Sequence, residues 1–189
     1  MRSAGFPRLW RRNRPIAKIT IMKRVRMLYG KSGMELRVPD AAEVLCGPGA
    51  PGLADPAQAV VEALRRPIGT DPLAELLARK RPRSVAITIS DITRPVPNRE
   101  FLPVLLEALD GAGIDDRRVV IIIGTGMHRA STAAEREELV GREILERVEL
   151  IDHNPRDDAA LVRVSGEPAV RVCRRFVEAD FRIVTGYVE

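Results

Sequence analysis

The chain contains 189 residues, of which 45% are hydrophobic and 30% carry a charge. This length predicts one domain, allows two small ones and is sufficient for a sizeable apolar core. The composition is ordinary for a globular protein, and it excludes a wholly disordered or a membrane-embedded chain.

The positive charge is concentrated at the start of the chain. The formal net charge is +5, but removing the six basic residues of positions 1–21 from the total of 31 leaves 25 against 26 acidic ones, a net charge of −1. We therefore predict that residues 1–21 are a disordered basic extension and that the protein does not bind nucleic acid. A nucleic-acid binder acting through this extension is the alternative, and its affinity would fall with salt. The six residues are Arg2, Arg8, Arg11, Arg12, Arg14 and Lys18.

The apolar runs and the cysteines bear on location. No apolar stretch approaches the roughly 18 residues of a transmembrane helix, so we expect no membrane partner. Cys46 and Cys173 match no zinc-binding spacing and are too few for a disulfide framework. Because thiols stay reduced in the cytoplasm, we predict a cytoplasmic protein.

The first predicted elements form a small β-hairpin. Residues 25–29 and 34–38 read as two strands around a turn at Gly30 and Gly33, since residues 34–38 alternate apolar and polar side chains. Residues 39–56 are rich in Pro, Gly and Ala and are predicted to be a loop. Asp55 and Pro56 then predict the start of a helix, and a second helix is predicted over residues 72–79.

The rest of the chain alternates strands and helices. Strands are predicted over residues 84–89, 119–123, 148–151 and 181–184. Helices are predicted over residues 98–109 and from Ser131 or Thr132, which form a capping box with Glu135, to Leu139. The fold class predicted is therefore α/β, with a mostly parallel sheet, helices on both faces in Rossmann-like layers, and a small β-hairpin before it.

Ligands of such a sheet bind outside the carboxyl ends of the strands. After the strand that ends at Ile89, one short loop carries Asp91, Thr93 and Arg94, and it is stiffened by Pro95 and Pro97. A rigid Arg near a helix start suits a phosphate or carboxylate ligand. An ion pair between Asp91 and Arg94 that closes a turn is an equally supported alternative.

A histidine follows the next strand. His128 lies in the run 124–129, where Gly124 and Gly126 allow close approach of a ligand to the backbone. A histidine there can act as a general base near neutral pH, and a surface histidine in a glycine turn is the alternative. The run lacks a third glycine at Arg129, so it is not a dinucleotide-binding fingerprint. His153 follows the third strand and is expected to have a structural role, and no metal ligand is predicted.

Four motifs, in their order along residues 25–189, resemble those of the nickel-dependent lactate racemase family. They are Tyr29-Gly30-Lys31, Ser90-Asp91-Ile92-Thr93-Arg94-Pro95, Gly124-Thr125-Gly126-Met127-His128-Arg129 followed by Thr132 and Glu135, and Asp152-His153-Asn154 with the stretch to Gly186. The resemblance is to the N-terminal domain of that family, and it implies an isomerase, a racemase or epimerase of lactate or a related 2-hydroxy acid.

The resemblance also implies a cofactor and roles for particular residues. The family carries a nickel-pincer nucleotide, which accepts a hydride from the 2-hydroxy acid and returns it to the opposite face of a transient 2-keto acid. Asp91, Ile92, Thr93 and Arg94 would contact this cofactor, and Arg94 would also bind the substrate. His128 would be one of two catalytic histidines, each taking the hydroxyl proton of one enantiomer.

The sequence departs from the family after Gly186. The family continues with a Pro-His that carries the second catalytic histidine, a lysine that anchors the cofactor and a histidine that binds nickel, whereas the last lysine here is Lys80. We therefore expect residues 22–189 to be an incomplete N-terminal catalytic domain that is inactive by itself. Truncation is the favoured explanation, and a complementary C-terminal half on a second polypeptide is the other. A non-catalytic phosphate- or nucleotide-binding module is the alternative function.

Overall fold

The structure is a computed structural model that describes residues 21–30, 32–47, 49 and 51–187. Residues 1–20 of the predicted basic extension, and Lys31 of the first family motif, lie outside the described residues. The chain divides into two compact units, with the boundary between Pro51 and Gly52. Among the described residues, no helix is both long and apolar enough to cross a membrane.

The first unit contains the predicted hairpin. Strands β1 (Ile21–Met27) and β2 (Met34–Pro39) pair antiparallel. The backbone N–H of Gly33 donates to the Tyr29 carbonyl at 2.9 Å, and Gly33 has a φ of +71°. A Cβ at this position would lie 2.9 Å from the Met27 carbonyl oxygen, so the turn requires glycine.

The second unit alternates strands and helices, as predicted. Its strands are β3 (Val85–Ser90), β4 (Val119–Gly124), β5 (Glu149–Asp152), β6 (Leu161–Ser165), β7 (Val170–Cys173) and β8 (Phe181–Val184). Its helices are α1 (Pro56–Arg65), α2 (Leu73–Lys80), α3 (Asn98–Gly111), α4 (Ala133–Val140), α5 (Arg142–Arg147) and α6 (Arg174–Glu178). Four of the strands form a parallel sheet in the order β5-β4-β3-β8, which confirms the predicted fold class.

The sheet buries apolar side chains on both faces because strand side chains alternate in direction. On one face, Ile87 and Ile121 pack in a core with Leu106 of α3. On the other face, Val120 and Ile122 pack in a smaller cluster with the half-buried Phe176 of α6. Helices therefore cover both faces, and the continuous apolar runs of β3 and β4 reflect their central place in the sheet.

Two predicted helix starts are confirmed in detail. The Asp55 carboxylate accepts a hydrogen bond from the Gln58 backbone N–H at 2.9 Å, with Pro56 at the first helical position. Thr132 caps α4 by accepting from the Glu135 backbone N–H at 3.2 Å. In return, the Glu135 carboxylate accepts from the Thr132 N–H at 2.8 Å, which completes the capping box.

No element is predicted from the sequence between β5 and β8, whereas the structure has a 3₁₀ turn at Asp158–Ala160, two strands and a helix there. Strands β6 and β7 form an antiparallel hairpin, and α6 follows directly. The runs Val162-Arg163-Val164 and Val170-Arg171-Val172 alternate apolar and polar side chains, which was the available signal, but both runs are short. Only Leu161 of these two strands is buried. The short helix α5 was also missed, because six residues carry little periodic signal.

We expect Ile121→Ala to lower the free energy of unfolding by about 2–5 kcal/mol, because it leaves a cavity in the fully buried centre of the sheet. Ile68→Ala is the matched control, since Ile68 is fully exposed. Urea denaturation of both variants measures the difference. Equal effects of the two substitutions would contradict the described core.

Candidate active site

The carboxyl ends of three parallel strands meet at one edge of the sheet. Ser90 at the end of β3 lies opposite Gly124 at the end of β4, and Ile123 lies opposite Asp152 at the end of β5. We call this edge the rim; it consists of the loops at 91–97, 125–132 and 153–157. The polar residues singled out in the sequence therefore lie on neighbouring strand ends, as predicted.

Asp91 is the polar centre of the rim. Its residue is only 7% exposed, and its carboxylate accepts hydrogen bonds from the Thr93 hydroxyl at 2.6 Å and the Thr93 N–H at 3.2 Å. The other carboxylate oxygen, Oδ2, lies 2.6 Å from Nδ1 of His128. The structure thus joins the two loops through a direct contact between Asp91 and His128.

The electrostatics of this contact determine which ring atom is free. Burial opposes ionisation of Asp91, but the hydrogen bonds from Thr93 and His128 outweigh it and hold the pKa of Asp91 below its usual value. A carboxylate can only accept a hydrogen bond, so Nδ1 of His128 carries the proton. Nε2 is then the basic atom of the neutral ring, and the side chain is 60% exposed.

The loop that carries His128 is fixed by buried polar groups. Thr125 is 2% exposed, and its hydroxyl donates to the His153 carbonyl at 2.5 Å. The His128 N–H donates to the Thr125 carbonyl at 3.0 Å, and the His153 N–H donates to the Ile123 carbonyl at 2.9 Å. Gly126 has a φ of +56°, a conformation that favours glycine. The backbone of His153 therefore has the structural role that the sequence predicted.

The other residues of the 91–94 loop have separate environments. Ile92 packs against the main apolar core, which anchors the loop. Thr93 and Arg94 are exposed. The Asp91 carboxylate is engaged by Thr93 and His128, and within the described residues Arg94 forms no ion pair. The alternative of an Asp91–Arg94 ion pair is therefore not realised, and the Arg94 guanidinium is available to a ligand.

Two further ion pairs on the rim were not predicted. Asp152 accepts from the Ser131 N–H at 3.1 Å and from Arg136, so it links β5 to the start of α4. Arg129 makes two hydrogen bonds to the Glu135 carboxylate, at 2.7 and 2.8 Å, which help to lower the pKa of Glu135 to about 2. The position of Asp152 directly after the predicted strand over residues 148–151 was the available signal for its role.

One buried side chain near the rim has no hydrogen-bond partner in the described chain. Asn98, at the first position of α3, is 1% exposed, and neither Nδ2 nor Oδ1 of its side chain has a hydrogen-bond partner. In the sequence, Asn98 is recognisable only as the start of a helix. Over the described ranges, no group of three or more His, Cys, Asp or Glu side chains could hold a metal ion.

The fold and the rim define a class of protein, an α/β domain that presents a carboxylate-supported histidine at the edge of a parallel sheet. The sequence model of the family described as lactate racemase N-terminal domain matches residues 29–189. The chain belongs to this family, which confirms the resemblance seen in its motifs.

Two curated relatives are lactate racemases. The chain is 35% identical over 135 residues to the lactate racemase of Lactiplantibacillus plantarum, which covers 70% of this chain and 31% of that protein. It is 32% identical over 133 residues to the lactate racemase of Thermoanaerobacterium thermosaccharolyticum, which covers 69% of this chain and 30% of that protein. The chain thus matches less than a third of the length of either relative.

Solved structures show the same fold. The lactate racemase apoprotein from Thermoanaerobacterium thermosaccharolyticum superposes with a TM-score of 0.66 and 28% identity, over 86% of this chain and 38% of that one. A protein from Thermotoga maritima superposes with a TM-score of 0.52 and 19% identity, over 69% of this chain and 33% of that one. The second match concerns the fold alone.

We expect Asp91→Asn to change the tautomer of His128. A neutral amide stabilises the Nδ1–H form less than a carboxylate does and can itself donate to Nδ1, so the Nε2–H form becomes populated. Nitrogen chemical shifts of the labelled imidazole measure the two forms, and Asp110→Asn on the exposed face of α3 is the control. An unchanged tautomer in Asp91→Asn would show that Asp91 does not orient the ring.

We expect Asp152→Asn to lower the free energy of unfolding by about 1.5–3 kcal/mol near neutral pH, the usual value of hydrogen bonds to a charged group. Burial opposes ionisation of Asp152, but Ser131 and Arg136 outweigh it and lower its pKa. The stabilisation is therefore complete above the ordinary carboxylate pKa and is lost as the pH falls through the lowered value.

Urea denaturation at several pH values measures this dependence. The difference between the wild type and Asp152→Asn should shrink steadily on acidification, whereas Asp110→Asn should differ little from the wild type at each pH. A difference that stays constant down to acid pH would contradict the assigned ion pair.

Proposed function

We propose that the second unit forms one side of the active site of a racemase that acts on lactate or a related 2-hydroxy acid. The observation that carries this proposal is the 2.6 Å contact between Asp91 Oδ2 and His128 Nδ1 at the rim of a domain of the lactate racemase family. Because the chain matches only 31% and 30% of the two curated relatives, the activity of the whole enzyme is part of the proposal.

His128 acts as the general base. Its exposed Nε2 takes the hydroxyl proton of the substrate, while Nδ1 stays hydrogen-bonded to Asp91. The ring becomes a cation in this step, and the adjacent carboxylate stabilises the new charge. When the proton returns, the same ring acts as the acid. Asp91 is therefore a positioning residue for the proton transfer.

Arg94 binds the substrate carboxylate. Its side chain is exposed on the loop after β3, and the part of the chain that the structure describes offers it no acidic partner. A guanidinium can bind a carboxylate through two parallel hydrogen bonds, which fixes the orientation of the acid as well as its position. Pro95 restricts the backbone of Arg94, so the group is held near the rim.

The residues of the rim fit the nucleotide part of a nickel-pincer cofactor. The Thr93 hydroxyl donates to Asp91 and can still accept a hydrogen bond from a ribose hydroxyl, and Arg94 can pair with a phosphate. The Asp91 carboxylate can accept further hydrogen bonds, and Ile92 would support the loop by packing against the apolar core. When bound, this cofactor supplies the acceptor for the hydrogen and the electron pair that leave the substrate carbon.

Binding of the nickel ion requires ligands that the described residues do not provide. The described residues hold no cluster that could bind nickel, so the ion would come with its organic ligand. The family resemblance assigns a second catalytic histidine, an anchoring lysine and a nickel-binding histidine to a segment after the motifs matched here. We propose that a complementary C-terminal part supplies these groups, and that His128 serves one enantiomer only.

A chimera tests the proposed activity. Residues 29–189 of this chain replace the matching segment of the Lactiplantibacillus plantarum lactate racemase, and conversion of L-lactate to D-lactate is followed in the cofactor-loaded enzyme. We expect His128→Ala to reduce kcat by about 10²–10⁴-fold, the usual contribution of a general base. Arg94→Ala should mainly raise KM, because it removes a binding contact.

Arg142→Ala is the control, since within the described residues Arg142 forms only an exposed ion pair with Glu137 on the neighbouring helix. Full activity of the His128→Ala chimera would contradict the assigned base. If the chain itself bound mononucleotides tightly while every chimera bound cofactor and lactate without turnover, a nucleotide-binding module would be the better description.

A further inference from the structure

A cavity of about 460 Å³ lies on the side of His128 that faces β5. It is formed by the loop after β4, by the end of β5 with the loop that follows it, and by Arg136 of α4, and Asp91 does not line it. Because β3 and β5 flank β4 on opposite sides, the cavity and the Asp91 contact lie on opposite sides of the β4 loop. The lining side chains that can bear charge are His128, Arg129, Arg136, Asp152, His153 and Arg156.

Most of the charge in this lining is already paired. Arg129 is bound to Glu135, and Arg136 is bound to Asp152. Arg156 differs, because its side chain is exposed and has no acidic partner anywhere in the described ranges. Its backbone N–H donates to the Asn154 side chain at 3.1 Å, which fixes the turn that presents it. The cavity therefore has one uncompensated guanidinium.

His153 adds a second available polar group. Its backbone is used to hold the β4 loop, but its half-buried imidazole has no hydrogen-bond partner in the described chain. An imidazole and a guanidinium on one short turn can both donate to the oxygens of an anion. Apolar ligands gain little here, since an unpaired Arg would lose water without receiving a partner.

We propose that this cavity binds a second acid group of the substrate, through Arg156 and His153, while the reacting carbon lies at His128. The inference deepens the proposed function and rests on it. The substrate class is a 2-hydroxy acid whose side chain ends in another anion, either a carboxylate or a phosphate. Lactate, which carries only a methyl group at that position, would leave Arg156 unpaired.

The order of the strands supports this arrangement. Arg94 follows β3, His128 follows β4 and Arg156 follows β5, and these strands are direct neighbours in the sheet. Neighbouring strands are about 4.8 Å apart, so the three loops leave the sheet at regular, short intervals. Each of the three side chains lies four residues beyond the end of its strand. The reacting carbon is thereby flanked by one available cation on each side. A short acid with an anion at both ends matches that pattern of charge.

Histidine NMR on the 189-residue chain tests the proposal, because His128 and His153 are its only histidines. The labelled chain is titrated with L-malate, D-malate, 3-phosphoglycerate and lactate, and signals are assigned with single His substitutions. We expect malate or phosphoglycerate to shift both histidines and to bind about tenfold more tightly than lactate, which corresponds to 1.4 kcal/mol. Comparison of malate with phosphoglycerate shows whether carboxylate or phosphate is preferred.

Variants of Arg156 identify the subsite. Arg156→Ala should remove the preference for the acid with two anions, Arg156→Lys should restore part of it, and the matched control Arg142→Ala should retain it. An Arg156→Ala variant that keeps the full preference overturns the proposal. So does the absence of any shift of His153 with every acid that has two anions.

Succinate, which lacks the 2-hydroxyl group, separates this proposal from the proposed function. Succinate should shift the NMR signals of His153 in the wild type and not in Arg156→Ala. This result supports the anion subsite even if the His128→Ala chimera retains full racemase activity, which would show that the assigned base is wrong. Conversely, the His128→Ala chimera could lose racemase activity while malate binds equally well to the wild-type chain and to Arg156→Ala. That result would support the assigned base and overturn the subsite.

Discussion

The parallel pairing of β3 with β4 determines the geometry of the candidate site. This register sets Ser90 opposite Gly124, so Asp91 and Thr125 begin their loops at the same level. A shift of one residue would move one loop by about 3.3 Å and turn the strand side chains to the opposite face. At the end of β4, a Cβ on Gly124 would lie 3.4 Å from the Ile89 carbonyl oxygen, which shows how closely β3 and β4 approach each other. The Asp91–His128 contact depends on that alignment.

Polar residues that take no part in proton transfer hold the rim in place. The buried Thr125 hydroxyl ties the β4 loop to the backbone after β5, and Asp152 ties the end of β5 to the start of α4. Thr132 and Glu135 then fix the first turn of that helix. Because the bonds of Thr125 and Asp152 are partly shielded from water, each constrains its loop more than a surface contact would. The exposed histidine is thus carried by a rigid support.

The sequence predicted the strongly patterned parts of the fold and the location of the site. Local sequence patterns are enough to predict the apolar strands β3 and β4 and the capping box of α4, because each pattern involves only neighbouring residues. The β6–β7 hairpin has only short alternating runs, at residues 162–164 and 170–172, and most of its side chains are exposed. The contact between Asp91 and His128 joins residues 37 positions apart, so it follows only from strand register and loop path. Residue spacing alone had left an Asp91–Arg94 ion pair equally supported.

The Asp91 carboxylate determines how the charge beside His128 changes during the proposed reaction. Before proton transfer, the ionised carboxylate and the neutral imidazole carry a combined charge of −1, which partly opposes the attraction of Arg94 for an acid. After His128 accepts the proton, the pair is neutral and that opposition disappears. The oxidised acid keeps its own carboxylate throughout, and the hydride would add one negative charge to the cofactor, so the total charge of the site does not change. The Asp91–His128 pair would thereby balance the charge of the hydride, and no net charge would have to be taken up from solution.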